Sequence, residues 1–178
     1  LFPLVGGTPT AGGSWTAPGG AAHSGTFLPG TDMPGAYTYT VAGSGACVGA
    51  PASSTVTVAV STIPDAGAGT TLTLCSSDPA QDLFTALGGT PQAGGSWADP
   101  TGSAFSGPFV PATDAPGQYI YTVIGQAPCP STSATVSIVV NAPPNAGSDA
   151  SITVCTTDGP SPLLNAIGAA AGGSWTGP

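Results

Sequence analysis

The sequence predicts an all-β chain built from tandem antiparallel β-sandwich repeats of about 80 residues. Apolar residues alternate with polar ones in several short runs, the period of a half-buried strand. Gly and Pro clusters punctuate these runs every 8 to 15 residues, a spacing that suits a sandwich better than a solenoid. The chain also repeats itself. Residues 1–47 align with residues 83–129 without a gap, at 28 identities in 47 positions.

The central copy shows the elements best. Leu72 and Leu74 alternate with Thr71 and Thr73, so a strand is expected there. Tyr119, Tyr121 and Val123 alternate with Ile120 and Thr122, and Val136, Ile138 and Val140 with Thr135, Ser137 and Val139. Shorter strands are expected at residues 95–97 and 108–110. Residues 82–87 fit either a strand or a helical turn. Helix signals are otherwise nearly absent.

Self-similarity extends beyond the cysteines. Gly12-Gly13-Ser14-Trp15 recurs as Gly94-Gly95-Ser96-Trp97 and again as Gly172-Gly173-Ser174-Trp175. After Cys129 the offset falls from 82 to 80, which aligns residues 55–60 with 135–140 and Ala66-Gly67 with Ala146-Gly147. Pro-containing junctions at Ile63-Pro64-Asp65 and Pro143-Pro144-Asn145 separate the copies. Three domains are therefore expected: residues 1–63, a repeat lacking its first strand; residues 64–143, a complete repeat; and residues 144–178, the opening of a third. The two ends overlap in repeat position, so the chain reads as a window from a longer array.

Composition narrows the function. There is no Lys or Arg, and the net charge is −8. Nothing can neutralise phosphates, which excludes an electrostatic nucleic-acid partner. A polybasic membrane-surface segment is excluded on the same ground. No apolar run approaches the ~18 residues of a membrane helix, so membrane insertion is not expected. No nucleophile–base pair stands out, and the single His23 aligns with Phe105; the chain is expected not to be an enzyme. Cofactors and metals are not expected either. Asp65, Asp78 and Asp82 lie near one end of the central repeat, but no D-x-D-x-D run or Glu supports calcium. Asp32 and Asp114 precede Pro-Gly turns and read as turn formers.

About 80 residues and six or seven strands per copy suit an immunoglobulin-like domain. The order Cys75, Trp97, Asp114-x-x-Gly117-x-Tyr119, Cys129 follows that logic, with a core Trp and a Tyr entering a late strand. One departure is clear: Cys129 lies ten residues after Tyr119, not two. The expected repeat core is Trp15, Trp97, Trp175, Tyr37, Tyr39, Tyr119 and Tyr121. A row of sugar-stacking Trp platforms is the rival reading of the tryptophans. Four widely spaced cysteines without a C-x-x-C pair point to an oxidising compartment. Cys75–Cys129 within the central repeat is the simplest disulfide, and Cys47–Cys75 across the linker is the alternative.

The whole pattern runs Ala-Gly…Leu-Cys…Leu-Gly-Gly…Gly-Gly-Ser-Trp…Phe-x-Pro…Pro-Gly-x-Tyr-x-Tyr-Thr-Val…Cys…Ala-Thr-Val, over residues 66–136. It resembles the tandem immunoglobulin-like repeats of large secreted and cell-surface proteins of Bacteroidota, chains associated with gliding motility and type IX secretion. That resemblance implies an extracellular, cell-surface location and a role as stalk, adhesin or fibre subunit. The expected function is a structural segment of a repeat-built fibre, partnered by neighbouring repeats or copies of itself. Exposed Ser and Thr offer acceptors for O-glycans. One alternative is an adhesin gripping surface glycans through its recurring Trp and Thr positions. Another is a non-covalent filament joined by strand complementation, against which the duplicated ends count.

Overall fold

A computed structural model describes residues 1–169 and 171–177. Strands dominate, helices are few and short, and the chain is all-β. No helix among the described residues is long and apolar enough to cross a membrane. By its contacts the chain divides into two units, Leu1–Ile63 with Gln126–Cys129, and Pro64–Gly125 with Pro130–Pro178.

The first unit holds β1 (Ser14–Thr16), β2 (Ala22–His23), β3 (Gly35–Val41) and β4 (Ala52–Val58). They form one antiparallel sheet in the order β2-β1-β3-β4. Strand β3 pairs with both β1 and β4, and its alternate residues Tyr37 and Tyr39 are buried. With Val5, Trp15 and Val56 they make a small buried cluster, flanked by Phe2, Phe27 and Val58.

The second unit contains β5 (Thr70–Cys75), α1 (Leu83–Ala86), β6 (Ser96–Ala98), β7 (Ala104–Phe105), β8 (Gly117–Val123), β9 (Thr132–Asn141) and α2 (Leu163–Ile167). Its five strands are ordered β5-β9-β8-β6-β7. Alternation again decides which side is buried: Tyr119, Tyr121 and Val123 from β8 meet Ala134, Val136 and Ile138 from β9. Leu83, Leu87 and Phe109, from the connecting segments, join the same cluster. Single antiparallel bridges, Ala68 to Gly88 and Gln81 to Phe109, tie those segments together.

One expectation changes here and one open choice is decided. The sheet is not wholly antiparallel, because β5 runs parallel to β9, with Thr70 beside Val136 and Cys75 beside Asn141. A parallel neighbour needs a long crossover, and the 56 residues between those two strands supply it. Of the two readings open for residues 82–87, the helical turn forms, over Leu83–Ala86. The Asp82 carboxylate accepts the Phe84 amide at 2.9 Å, satisfying one of the free N–H groups that open a helix. At residues 108–110 there is only the Phe109 bridge, and the short strand β7 lies just before it.

Candidate functional site

In each unit a Gly-Gly-Ser-Trp strand pairs with a Tyr-x-Tyr strand. Trp15 lies opposite Tyr39, and Trp97 opposite Tyr121. The rings sit 5.1 and 5.0 Å apart, tilted by 41° and 42°. The Tyr39 hydroxyl donates to the Thr10 carbonyl at 2.9 Å and accepts from the Gly13 amide at 2.6 Å. Tyr121 does the same with Gln92 at 2.7 Å and Gly95 at 2.8 Å. A Cβ on Gly13 or Gly95 would stand 2.6 Å from that tyrosine ring, so the second glycine of each motif leaves the space the ring fills.

The other tyrosine of each pair closes a turn. Tyr37 donates to the Met33 carbonyl at 2.8 Å and Tyr119 to the Ala115 carbonyl at 2.9 Å, each four residues upstream. Burial raises both phenol pKa values, with help from Asp32 beside Tyr37 and from Asp114 beside Tyr119. Asp32 and Asp114 hold the loop before each corner by accepting the amides of Leu28 and Val110, both at 2.7 Å. Asp32 also meets His23 at 3.3 Å. The Leu28 bond first, and then the His23 bond, lower the Asp32 pKa. The His23 ring packs on Tyr37 at 4.7 Å, where Phe105 packs on Tyr119 at 4.9 Å. Sequence comparison marked His23 as an exception; its carboxylate partner emerges only when the fold brings Asp32 beside it.

Six of the seven expected core aromatics therefore lie on or in a core: Trp15, Tyr37, Tyr39, Tyr119 and Tyr121 are buried, and Trp97 packs against its cluster. Trp175 does not. It is 58% exposed. A sugar-stacking row gains little from this arrangement, since the Trp15 and Trp97 faces already lie against tyrosine.

The Cys75–Cys129 bridge is not formed, and all four cysteines are free thiols. Strand register supplies the reason. Cys75 lies beside Asn141, the last residue of β9, whereas Cys129 precedes Thr132, the first. Nine steps of ~3.3 Å separate the two ends by about 30 Å. A disulfide needs Cα atoms within roughly 7 Å. The Cys129 thiol instead donates to the Ser61 carbonyl at 3.1 Å. Hydrogen bonds from the Ser77 and Thr157 hydroxyls are the first cause lowering the Cys75 and Cys155 thiol pKa values.

Among the described residues, no three His, Cys, Asp or Glu side chains converge on a metal-sized point. Asp65, Asp78 and Asp82 each cap a local turn, accepting from Gly67, Cys75 and Phe84. In the first unit a groove of about 290 Å³ opens beside Val5, Pro9, Thr10, Tyr39, Val41 and Ala52. Tyr39 and the hydroxyl side chains of Thr8, Thr10, Ser53 and Ser54 share its lining with apolar residues. No protein-family model matches the chain, and no curated protein matches it.

Proposed function

We propose that the chain is a non-catalytic structural segment of an extracellular fibre or cell-surface stalk, made of tandem immunoglobulin-like β-sandwich repeats of about 80 residues. The observation that carries this reading is the doubled tyrosine arrangement. Tyr37 and Tyr119 each bond a carbonyl four residues back, as the corner tyrosine of an immunoglobulin-like domain does. Tyr39 and Tyr121 each clamp a Gly-Gly-Ser-Trp strand through the same two bonds. Repeated internal packing suits a spacer. The resemblance to Bacteroidota surface repeats supports the location, and the −8 charge without Lys or Arg suits a soluble, exposed thread. Its partners are neighbouring repeats or further copies of itself.

Electron micrographs of native material test this. Threads with an axial beat of one domain, about 35 Å from the ten residues of β9 at ~3.3 Å each, are expected. Discrete particles of a single 16.8 kDa chain would overturn it.

A further inference from the structure

The two units build the same turn around one differing ring. Residues 23–35 align with residues 105–117, and His23 stands where the second unit has Phe105. Both rings pack on the corner tyrosine, His23 on Tyr37 at 4.7 Å and Phe105 on Tyr119 at 4.9 Å. A phenyl ring fills that place equally well, so packing alone does not call for an imidazole. What the imidazole adds is two nitrogens, and both are engaged.

The His23 Nδ1 accepts the Gly25 amide at 3.1 Å, and Nε2 meets the Asp32 carboxylate at 3.3 Å. A backbone N–H can only donate. Nδ1 therefore carries no proton, and the neutral ring holds its single proton on Nε2, aimed at Asp32. Around the ring, Trp15 pairs with His23 from β1 and Tyr37 packs on it from β3; neither is charged near neutral pH. Asp32 is the charged side chain that faces it, and the same carboxylate oxygen accepts the Leu28 amide at 2.7 Å. The Leu1 nitrogen donates to the Gly25 carbonyl at 2.7 Å, on the turn rather than on the ring.

A second proton on the ring must go to Nδ1. It would set two N–H groups against each other, because the Gly25 amide already points there. The bond from Nε2 to Asp32 strengthens once the ring is charged, so the ring keeps its place and the peptide yields. Gly25 makes that possible. Its φ is +85°, a conformation glycine enters and leaves at little steric cost. Turning the Ser24–Gly25 peptide over withdraws the N–H and brings the Ser24 carbonyl to the protonated Nδ1.

We propose that His23 and the Ser24–Gly25 peptide form a proton-driven switch in the first unit: the Gly25 amide donates to the neutral ring, and the Ser24 carbonyl accepts from the protonated one. The balance is one proton taken up from water at Nδ1, with only hydrogen bonds exchanged. Water reaches the site, since the His23 side chain is 11% exposed. The turn also covers the indole. A Cβ on Gly25 would stand 2.8 Å from the Trp15 ring, so the backbone there rests against it and its rotation changes what Trp15 touches. In the second unit Phe105 offers no nitrogen, and nothing lies within 4 Å of a Cβ built on Gly107. That unit is the built-in control. The switch sits within one unit and does not depend on the fibre reading.

Nitrogen-15 NMR of the full chain between about pH 8 and 5, the range in which imidazoles titrate, tests it. His23 is the single histidine, so its ring signals are unambiguous. An unprotonated Nδ1 is expected at the upper end. As the ring takes its second proton, the Gly25 amide signal should shift in step while the Gly107 amide holds still. In a Trp97→Phe, Trp175→Phe background, Trp15 emission should follow the same curve and reverse when the pH is raised. His23→Phe gives the first unit the residue of the second and should abolish both shifts. Should that variant fail to fold, the Gly25 and Gly107 amides of the unaltered chain decide the matter alone. A proton on Nδ1 at the upper end, a Gly25 amide that stays fixed while the ring titrates, or shifts that survive His23→Phe would each overturn the proposal. So would a ring that remains neutral throughout.

Discussion

Strands β4 and β9 begin as near twins and end differently. Both pair antiparallel with a Tyr-x-Tyr strand, and Val56 and Val136 sit opposite Tyr37 and Tyr119. Yet β4 stops at Val58, whereas β9 runs on to Asn141. Val56 is 9% exposed and Val136 is fully buried. Beyond Val58 the aligned Val60 is exposed, while Val140 packs on the core. The sequences there are alike, so propensity does not separate them. The neighbour does: β5 supplies ladder partners for residues 136–141, and without one the same stretch has no reason to stay pleated.

That comparison predicts two melting transitions, the first unit below the second. In a Trp175→Phe background, Trp97→Phe leaves Trp15 to report the first, and Trp15→Phe leaves Trp97 to report the second. The largest effect is expected from Tyr119→Ala. Removing a buried aromatic costs about 3–5 kcal/mol, so the upper transition should drop steeply or vanish while the lower one stays. One shared transition that moves as a whole would break the comparison.

Gly95→Ala and Gly13→Ala come next. Each new Cβ would lie 2.5 Å from a backbone carbonyl and 2.6 Å from a tyrosine ring. Overpacking of this kind costs roughly 1–3 kcal/mol. Equal losses in urea unfolding are expected, because this part of the two units is the same. Unequal losses would mean the missing β5 loosens even the far side of the first sheet.

Tyr39→Phe and Tyr121→Phe keep the ring and remove the hydroxyl. The Gly13 or Gly95 amide loses its acceptor, at a cost of about 1–2 kcal/mol in the affected unit's denaturant midpoint. Trp175→Ala should change stability by less than about 0.5 kcal/mol, as exposed substitutions do, whereas Trp97→Ala should lower the upper transition clearly. A glycan array read with Trp97→Ala completes that pair: lost binding at unchanged stability would revive the adhesin reading.

The smallest effect is in pH. The Leu28 amide chiefly, with His23, holds the Asp32 carboxyl below its usual value of 3.8; the Thr101 hydroxyl chiefly does so for Asp99. A pKa lowered by folding contributes stability above the unfolded value, and that contribution is lost as pH falls through the folded value. Both transitions should therefore hold steady from pH 7 to about 5 and decline below about 3.8. Asp99→Asn should flatten that decline in the second unit only.

Much of this was legible in the residues. Alternation at Tyr119-Ile120-Tyr121 and Val136-Ser137-Ile138 named the buried positions, because a strand's side-chain period of two leaves only one face for the core. The Gly-Gly-Ser-Trp and Tyr-x-Tyr repeats named the partners. Cys75 and Cys129 misled, since their spacing carries no direction; the parallel register of β5 sets them at opposite ends of β9. Trp175 carries the same Gly-Gly-Ser-Trp motif as Trp15 and Trp97 yet stands exposed. The groove at Val5, Pro9 and Ala52 has no local signature at all.

By itself, then, the sequence determined the all-β class, the inward tyrosines, and the lack of Lys and Arg side chains. These follow from local periodicity and composition. Only the tertiary structure decided the parallel edge, the separation of the cysteines and the meeting of Cys129 with Ser61, because each depends on which distant strand lies alongside and in which direction it runs.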